Sequence, residues 1–425
     1  MTTIADIHVH SGYSMATSAD MRPHGLWRWA QLKGIGLIGT GDFTHPKYFE
    51  ELRDCLEPAE GGLFRLRDGH RKGEVPDSCK ASVRFVLSAE ISCIYSKAGR
   101  TRKVHTIVLA PGFDEAARFN AMLAKIGNIA SDGRPILGLD ARRLLEMALE
   151  VSPMMECIPA HAWTPHFSVF GAVSGFDSLE ECYGDLTPHI HAIETGLSSD
   201  PSMNRRLSAL DRITLISNSD AHSPMKLGRE ATLLDMPMFY DGLINCLRTG
   251  DGVKGTIEFF PEEGKYHVDG HRKCGVSMLP EQTRKAGYRC PKCGGKLTVG
   301  VMHRVDALAD RAEPAPSNFV SIVPLQEIVS QVLGKGINTK GVVSRYMDML
   351  GALGNEFHIL IDSPLAEIEA AGGEDIAAAI GRMRKGDVSM MPGFDGQFGV
   401  ISVTGEIAAA PVVHEMDAKG EGMLF

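Results

Sequence analysis

Residues 4–11 read Ile-Ala-Asp-Ile-His-Val-His-Ser, a short apolar run that ends in two histidines separated by one residue. Side chains alternate along a strand, so His8 and His10 project from the same face. A shared cation explains two neighbouring imidazoles at the end of an apolar strand better than packing does. Because a lone His-x-His pair is a weak signal, the interpretation depends on what the rest of the chain places beside it.

Apolar, β-branched runs recur as far as residue 220, and stretches with helical spacing separate most of them. The runs span residues 4–10, 35–41, 84–92, 104–110, 155–162, 190–195 and 213–219. Between them lie apolar helical faces, such as Leu26, Trp29, Ala30 and Leu32, or Leu144, Leu145, Met147 and Leu149. Strands that alternate with helices predict an α/β fold built on a parallel sheet or a barrel.

Metal-binding side chains fall at or just past the C-terminal ends of these runs, at the rim where α/β barrels carry their chemistry. They are His8, His10, Asp42, Glu90, His161, Asp220 and His222. His105 instead begins its run. The link from Ser92 to Val104 is too short for a crossover helix, so it predicts an antiparallel hairpin that returns His105 to Glu90. This convergence predicts a polynuclear metal site.

Such a site predicts hydrolysis of phosphate esters. Two divalent ions about 3.5–4 Å apart bind both the attacking and the leaving oxygen of an in-line displacement, and they lower the pKa of water towards ~7. The chemistry then needs no Ser or Cys nucleophile.

A second metal site is predicted after residue 260. His271-Arg272-Lys273-Cys274 and Cys290-Pro291-Lys292-Cys293 supply the four ligands of a structural Zn²⁺. His267 or His303 could replace His271 as the fourth ligand. A closed four-ligand site would stabilise a segment that is too small to have a core of its own.

The charge distribution sets this segment apart. The chain has a net charge of −9. Residues 264–304 contain nine Lys/Arg and two acidic residues, Asp269 and Glu281, so the net charge of this segment is +7 and that of the rest of the chain is −16. Either this is a solvated basic face, or it binds a phosphate backbone.

The ligand motifs resemble those of the PHP (polymerase and histidinol phosphatase) family: His8-Val9-His10-Ser11, Gly39-Thr40-Gly41-Asp42, Glu90, His105, His161 and Asp220-Ala221-His222. The resemblance implies a distorted (β/α)7 barrel that binds up to three divalent ions (Zn²⁺, Mg²⁺ or Mn²⁺). It implies a first ion held by His8, His10, Glu90 and Asp220, with Asp220, Glu90 and His10 as catalytic residues. Glu90 would bridge to a second ion on His105 and His161, and Asp42 and His222 would belong to a third. The sequence departs from the family pattern in two places, and both concern this third site. Gly41-Asp42 stands where many members have Asp-His, and a further His that often follows the His-x-His pair is absent, with Ser14 and Ser18 as the nearby polar residues.

The order of barrel, zinc module and helical tail resembles the endonuclease Q family within that superfamily. The similar segments include residues 159–165, 194–201, 293–310 and Pro392-Gly393-Phe394-Asp395-Gly396. The resemblance implies a DNA-repair endonuclease that cuts 5′ to a deaminated base (uracil, hypoxanthine, xanthine) or an abasic site. Its partner would be damaged double- or single-stranded DNA, and a sliding clamp is an additional candidate partner.

Recognition of a lesion within a duplex generally takes the base out of the stack into a pocket. We predict Trp163, Phe167 and Phe170 as walls of that pocket, with core packing as the alternative for these aromatic residues. Ser198 or Ser199 is predicted to bond to a base carbonyl. Arg205 is predicted to bind phosphate, with a solvated helix face as the alternative.

The sequence therefore predicts a catalytic domain over residues 1–260, a zinc module over 261–304 and a helical DNA-binding domain over 305–425 that ends in a frayed Gly/Glu-rich tail. Apolar runs are too short to span a bilayer, a signal-peptide pattern is absent, and nine Cys with one Cys-rich segment indicate a reduced, cytoplasmic protein.

Two other functions are compatible with parts of this pattern. A histidinol-phosphatase-like enzyme would use the barrel but not the zinc module. A non-catalytic nucleic-acid-binding protein would leave the nearly complete ligand set without a role.

Overall fold

A computed structural model of the chain describes residues 2–405. The predicted frayed tail, Glu415 to Phe425, lies outside the described residues. None of the described helices combines the length and the apolar character that a membrane span requires.

The described chain is a mixed α/β structure. Its strands are β1 (Thr3–Asp6), β2 (Leu37–Gly39), β3 (Leu56–Pro58), β4 (Phe64–Leu66), β5 (Arg84–Lys97), β6 (Arg100–Ala110), β7 (Ile136–Leu137), β8 (Glu156–Pro159), β9 (Ala192–Glu194), β10 (Thr214–Ile216), β11 (Ala231–Leu234), β12 (Val253–Glu258), β13 (Asp269–His271), β14 (Val276–Met278), β15 (Phe319–Ser321), β16 (Ser389–Met391) and β17 (Val400–Ser402).

Helices lie between and after these strands. They are α1 (Pro23–Lys33), α2 (Pro46–Cys55), α3 (Phe113–Leu123), α4 (Ala141–Val151), α5 (Leu179–Tyr183), α6 (Pro201–Asn204), α7 (Tyr240–Thr249), α8 (Pro280–Lys285), α9 (Val301–Leu308), α10 (Leu325–Leu333), α11 (Lys340–Leu353), α12 (Leu365–Gly372) and α13 (Glu374–Arg384).

Local sequence explains where the long helices begin and end. Proline opens α1 as Pro23, where its missing N–H is not needed, and Gly34 in a left-handed conformation closes the helix. Asp140 caps α4 by accepting from the Arg142 N–H. The predicted apolar faces of both helices are buried for the most part, and they cover the outer face of the sheet.

The main sheet mixes parallel and antiparallel pairs. Its order is β15-β12-β11-β1-β2-β5-β4-β3, and β6 joins β5 to β8. β1, β2 and β5 are parallel, whereas β6 is antiparallel to both of its neighbours. β9 and β10 form a separate parallel pair.

Main-chain hydrogen bonds also link β8 to β9 and β10 to β1, just beyond the ends of these strands. The Ala162 N–H donates to the Glu194 carbonyl at 3.0 Å, which links the end of β8 to β9. The Asp220 N–H donates to the His8 carbonyl at 3.0 Å, which links the end of β10 back to β1. The C-terminal ends of these strands therefore meet around one centre.

The predicted hairpin is confirmed. β5 and β6 are antiparallel neighbours from Leu87 opposite Ala110 to Lys97 opposite Arg100, so both strands extend beyond the predicted runs. The register places His105 opposite Ser92, two residues along β5 from Glu90.

The C-terminal helices α10 to α13 pack against the first part of the chain. The Lys33 ammonium in α1 lies 2.8 Å from the Glu356 carboxylate, and both groups are buried. Glu356 also accepts from the Tyr346 hydroxyl at 2.8 Å and from the Leu325 N–H at 3.0 Å. This buried, fully bonded carboxylate fixes the helical segment to the sheet domain, because removing either partner would leave a charge unpaired.

Candidate active site

Four of the predicted ligands meet at the end of β1. The Nε2 atom of His10 lies 3.3 Å from Glu90 Oε2 and 3.0 Å from Asp220 Oδ1. The Nε2 atom of His8 lies 3.6 Å from Glu90 Oε2 and 3.7 Å from Asp220 Oδ1. One ligand atom from each residue falls within 4.8 Å of all the others.

The unsatisfied atoms of this group show what it is built to hold. His8 Nε2, His10 Nε2 and Asp220 Oδ1 are buried and make no hydrogen bond. Buried polar atoms without a partner are costly. A divalent cation between two imidazoles and two carboxylates would satisfy all of them, so the residues present fit the predicted ion.

A second group shares Glu90 with the first. Glu90 Oε1 lies 2.8 Å from His105 Nδ1 and 3.1 Å from His161 Nε2. Ser92, which faces His105 across the hairpin, lies with its hydroxyl 3.1 Å from the other ring nitrogen, His105 Nε2. Glu90 thus has one oxygen towards each group, which is the arrangement of a bridging carboxylate. The name "ligand cluster" is used below for His8, His10, Glu90, His105, His161 and Asp220.

Each histidine of the His-x-His pair is oriented by a carboxylate on its other ring nitrogen. Asp42 Oδ1 lies 3.2 Å from His10 Nδ1. Glu194 lies 3.1 Å from His8 Nδ1. Glu194 was not among the predicted ligands. It ends β9 within the apolar run 190–195, so the rule used for the other ligands would have selected it.

The residues predicted for a third ion have other contacts here. Asp42 Oδ2 accepts from the Ser11 N–H and hydroxyl, both at 2.6 Å, and from the Ser14 hydroxyl at 2.8 Å. His222 Nδ1 lies 2.9 Å from the Asp220 carbonyl, and its ring centroid is 4.4 Å from that of His10. Both residues therefore adjoin the ligand cluster.

The electrostatics of the cluster keep its carboxylates ionised, whereas its imidazoles differ from one another. Glu194 raises the pKa of His8, and Asp42 that of His10, well above the usual range against the effect of burial, so a cation bound here would displace a proton from each ring. Burial alone would raise the pKa of Glu90, but its close contact with His105 and the charge of Arg134 hold it well below its usual range. The pKa of Asp220 is likewise lowered against the effect of burial, first by the close contact of its carboxylate with the His10 ring. Burial lowers the pKa of His105 to about 3, which leaves that imidazole neutral at neutral pH. Ionised carboxylates and neutral imidazoles are the forms that coordinate cations.

Strained backbone occurs at three predicted ligands. Asp42, His161 and Asp220 have φ values of 46°, 29° and 47° in the left-handed region that residues with a Cβ rarely adopt. Gly196 allows this geometry at His161, because a Cβ on Gly196 would lie 2.6 Å from the His161 Cβ. Such strain clusters at functional sites, where the surrounding structure compensates its cost.

A cavity of about 420 Å³ opens beside the ligand cluster. Its wall includes His161, Asp220 and His222 from the site together with Arg134, which sequence analysis did not select. The Arg134 guanidinium lies 3.1 Å from Glu90 Oε2. Arg134 belongs to no apolar run, and the loop before β7 brings it to the site, so strand-end reasoning had no signal for it.

The predicted substrate-binding residues divide between this cavity and the protein interior. Phe167 and Ser198 line the cavity. Trp163 packs in the core, with its indole N–H donating to Asn204 Oδ1 at 2.6 Å and its ring 4.8 Å from that of Phe170. For Trp163 and Phe170, the alternative of core packing therefore describes the structure.

Two further residues predicted to bind substrate are engaged by the protein itself. The Ser199 hydroxyl donates to the Thr195 carbonyl at 2.7 Å. The Arg205 guanidinium donates to the Leu210 carbonyl and, at 3.1 Å, to the Ile213 carbonyl. Arg205 lines a different depression from the one at the ligand cluster.

The predicted zinc ligands also meet. Ligand atoms of His271, Cys274, Cys290 and Cys293 all lie within 4.8 Å of one another. The alternative fourth ligand His303 instead contacts Asp269, with Nδ1 2.5 Å from Oδ2. The structure thus brings together the predicted ligand set that has His271, and not His303, as its fourth member.

Part of the chain matches a named family and a longer relative. The sequence profile of the family described as "MJ0043 C-terminal domain" matches residues 324–387. The uncharacterized protein MJ0043 of Methanocaldococcus jannaschii is 32% identical over 252 residues, which cover 57% of this chain. The match covers 31% of MJ0043, so this chain spans about a third of that protein.

Two solved structures match nearly the whole chain. The lesion-specific endonuclease PfuEndoQ from Pyrococcus furiosus is 32% identical, with a TM-score of 0.82 and 95% of each chain covered. A complex of Endonuclease Q with a 27-mer duplex substrate that has an abasic lesion at the active site is also 32% identical, with a TM-score of 0.83 and coverage of 97% of this chain and 99% of that one. With this identity over almost its full length and the same fold, the chain belongs to the endonuclease Q family.

Proposed function

We propose that this chain is a DNA-repair endonuclease that hydrolyses the phosphodiester backbone beside a damaged nucleotide. The observation that carries the proposal is Glu90, which has one oxygen towards each of two ligand groups at the wall of an open cavity. A two-metal phosphodiesterase uses such an arrangement, and structures of the family include a complex with a lesion-containing duplex. The finer specificity, cleavage 5′ to uracil, hypoxanthine, xanthine or an abasic site, remains part of the proposal.

His8, His10, Glu90 and Asp220 would hold one divalent cation, and Glu90, His105 and His161 a second. Zn²⁺, Mg²⁺ and Mn²⁺ are all compatible with these ligands. When bound, such cations supply a hydroxide nucleophile at neutral pH and Lewis acidity at the phosphate oxygens. Asp42 and His222 would hold any third ion, at the edge of the cluster where Ser11 and Ser14 now contact Asp42.

The protein's own groups position the substrate and the ligands. Glu194 and Asp42 fix the rings of His8 and His10 so that Nε2 points into the cluster. Arg134, at the cavity wall beside Glu90, is placed to contact a phosphate oxygen, since a guanidinium matches phosphate geometry. Phe167 and Ser198 would contact the nucleotide that enters the cavity.

We propose a catalytic domain over residues 1–260 whose strands close a distorted seven-stranded barrel. A single buried cluster supports this closure, because it takes at least one residue from each of β1, β2, β5, β6, β8, β9 and β10. These residues are Ala5, Leu37, Val86, Ile107, Ile158, Ala192 and Ile216, with Leu109 as a second residue from β6. The main-chain hydrogen bonds from β8 to β9 and from β10 to β1 support it as well.

We further propose that residues 261–304 form a module held by one Zn²⁺ on His271, Cys274, Cys290 and Cys293, and that this module and the helical region from 305 onward bind DNA. The net charge of +7 over residues 264–304 suits a phosphate backbone. One of the two solved structures described above is a complex with a DNA duplex. A sliding clamp remains a prediction from the sequence, as does the cytoplasmic location.

The test is a nicking assay on a labelled duplex with one deoxyuridine or abasic site, beside an undamaged duplex and a small phosphomonoester. The protein is first stripped with a chelator and then given Mg²⁺, Mn²⁺ or Zn²⁺. We expect metal-dependent nicking of the damaged duplex alone. Turnover of the monoester without nicking would indicate the histidinol-phosphatase-like alternative, and DNA binding without any turnover would indicate the non-catalytic one.

A further inference from the structure

Two exposed apolar side chains stand at the edge of the cavity beside the ligand cluster. Met15 and Phe398 line this cavity, and 55% and 52% of their surface is accessible. An aromatic ring left in water forgoes the free energy of burial. Exposed apolar groups beside a functional cavity therefore indicate a contact that forms when the substrate binds.

Phe398 is carried by a fixed loop. The Gly393 N–H donates to the Glu262 carbonyl at 2.7 Å, and the Gly399 N–H donates to the Glu263 carbonyl at 2.9 Å. A Cβ on Gly399 would lie 2.1 Å from the Glu262 carbonyl oxygen, so this close approach requires glycine. The backbone on both sides of Phe398 is thus held against the segment that begins the zinc module.

Asp395 fixes the tip of the same loop. Its carboxylate accepts from the Thr298 hydroxyl and from the Arg272 N–H, both at 2.6 Å. Asp395 has a φ of 44°, the left-handed conformation that turns the loop back. The motif Pro392–Gly396 has no part in the metal cluster. Its contacts instead hold the loop that places Phe398 at the cavity edge.

A cation accompanies the ring. The Lys265 ammonium lies 4.5 Å from the centroid of Phe398, and Lys265 also lines the cavity. A flat apolar face beside a positive charge suits a nucleic-acid strand, because its bases stack on aromatic rings and its phosphates attract cations.

We propose that Phe398 inserts into the base stack of the damaged duplex and fills the space left when the damaged nucleotide enters the cavity. The inference depends on the proposed endonuclease function. Apolar side chains placed between base steps are a common means of holding distorted DNA. Phe398 suits this role better than Met15 because the flat face of an aromatic ring stacks on a base.

The test compares Phe398→Ala and Phe398→Trp with the unmodified protein on three substrates that share one abasic site: a duplex, the single strand, and a duplex with unpaired bases around the lesion. The single strand and the unpaired duplex have little or no stacking to replace. Phe239→Ala is the matched control, because Phe239 is 39% exposed and follows β11, whose end pairs with the start of β1, far from the ligand cluster.

We expect Phe398→Ala to slow nicking of the paired duplex by roughly 5- to 150-fold, the range for loss of one aromatic–base stack. Nicking of the single strand and of the unpaired duplex should stay within about twofold. Phe398→Trp should retain nicking of the paired duplex, and Phe239→Ala should match the unmodified protein on all three substrates.

Two results would overturn the inference alone: an unchanged rate of Phe398→Ala on the paired duplex, or an equal loss on all three substrates at an unchanged melting temperature. Failure of the unmodified, metal-loaded protein to nick any of the three would overturn the proposed function, and this inference with it.

Discussion

Both carboxylate oxygens of Glu194 lie 3.1 Å from Nδ1 of His8. The same carboxylate accepts from the His161 N–H at 2.7 Å and from the Asn218 amide at 3.0 Å. Glu194 therefore fixes the ring orientation of one ligand and the backbone of another. A carboxylate on the far nitrogen of a metal-binding histidine also sets its tautomer and raises its basicity.

Glu194→Gln should lower both metal content and nicking rate by about 10- to 100-fold. The amide keeps the shape of the side chain, but its N–H groups would face the donors on His161, Asn218 or His8. Metal content is measured by elemental analysis after dialysis, and the nicking rate is measured on the abasic duplex. Because Glu194 acts through His8, excess metal in the assay should restore part of the activity.

Glu156→Gln is the control for that experiment. Glu156 is also a buried carboxylate beside a histidine, 2.8 Å from His191 Nδ1, but it lies at the start of β8, at the opposite end from His161. We expect Glu156→Gln to lower the melting temperature and leave metal content per folded chain unchanged. If both variants lost metal equally, Glu194 would have no special part in positioning His8.

Asp220→Ala should reduce nicking to background while the affinity for lesion DNA stays largely intact. Asp220 supplies an unpaired oxygen to the ligand cluster, whereas the basic surface of residues 264–304 lies in a separate segment of the chain. Nicking is measured on the abasic duplex and binding by fluorescence anisotropy. Asp211→Ala is the control, since Asp211 is exposed and pairs with Arg311. Full activity of Asp220→Ala would refute the assignment of the site.

Alternation along strands and the position of strand ends were enough to predict which ligands would meet. They place His8 and His10 on one face, and the short link after Ser92 returns His105 to Glu90. They could not predict Arg134, because it reaches the site from a loop whose path depends on tertiary packing.

The substrate-binding residues were harder to predict, because sequence gives the identity of an aromatic residue but not the direction of its ring. Trp163 and Phe167 lie four residues apart around a turn, yet the first packs in the core and the second lines the cavity. Arg205 donates to main-chain carbonyls that come from a later turn. Such contacts arise only once the chain has folded.

Cys290→Ser should remove one Zn²⁺ per chain and lower the melting temperature, with DNA affinity falling as the basic segment loses its fixed shape. A serine hydroxyl is a poor ligand for zinc compared with a thiolate, and a small metal module depends on its ion for folding. Zinc is counted by elemental analysis. Cys246→Ser is the control, a buried cysteine in α7 that is remote from the four ligands. Equal zinc content in both variants would contradict a site at Cys290.

Glu258 makes the stability of the protein depend on pH. Its side chain is buried beneath the site, accepting from the Thr195 and Ser217 hydroxyls at 3.2 and 3.1 Å, and its other oxygen makes no hydrogen bond. Burial raises the pKa of Glu258 to about 8, although the neighbouring hydroxyls oppose the shift. The folded state therefore keeps this proton to a higher pH than the unfolded chain, whose carboxyl has its ordinary pKa near 4.5.

Because the unfolded state binds fewer protons between these two pKa values, this group costs stability progressively as the pH rises from about 4.5 to 8. Glu258→Gln removes the part of that dependence that comes from Glu258, since the amide is neutral and still accepts from both hydroxyls. The pKa of the buried Glu230, which burial and the charge of Glu258 raise, should fall in the same variant. The melting temperature of Glu258→Gln minus that of the unmodified protein should thus increase steadily from pH 5 to pH 8, by several degrees in total. Glu180→Gln, an exposed change in α5, should give a difference that is constant with pH. A constant difference for Glu258→Gln as well would mean that Glu258 is already ionised at pH 5, and that a cation or proton donor inside the fold compensates its charge.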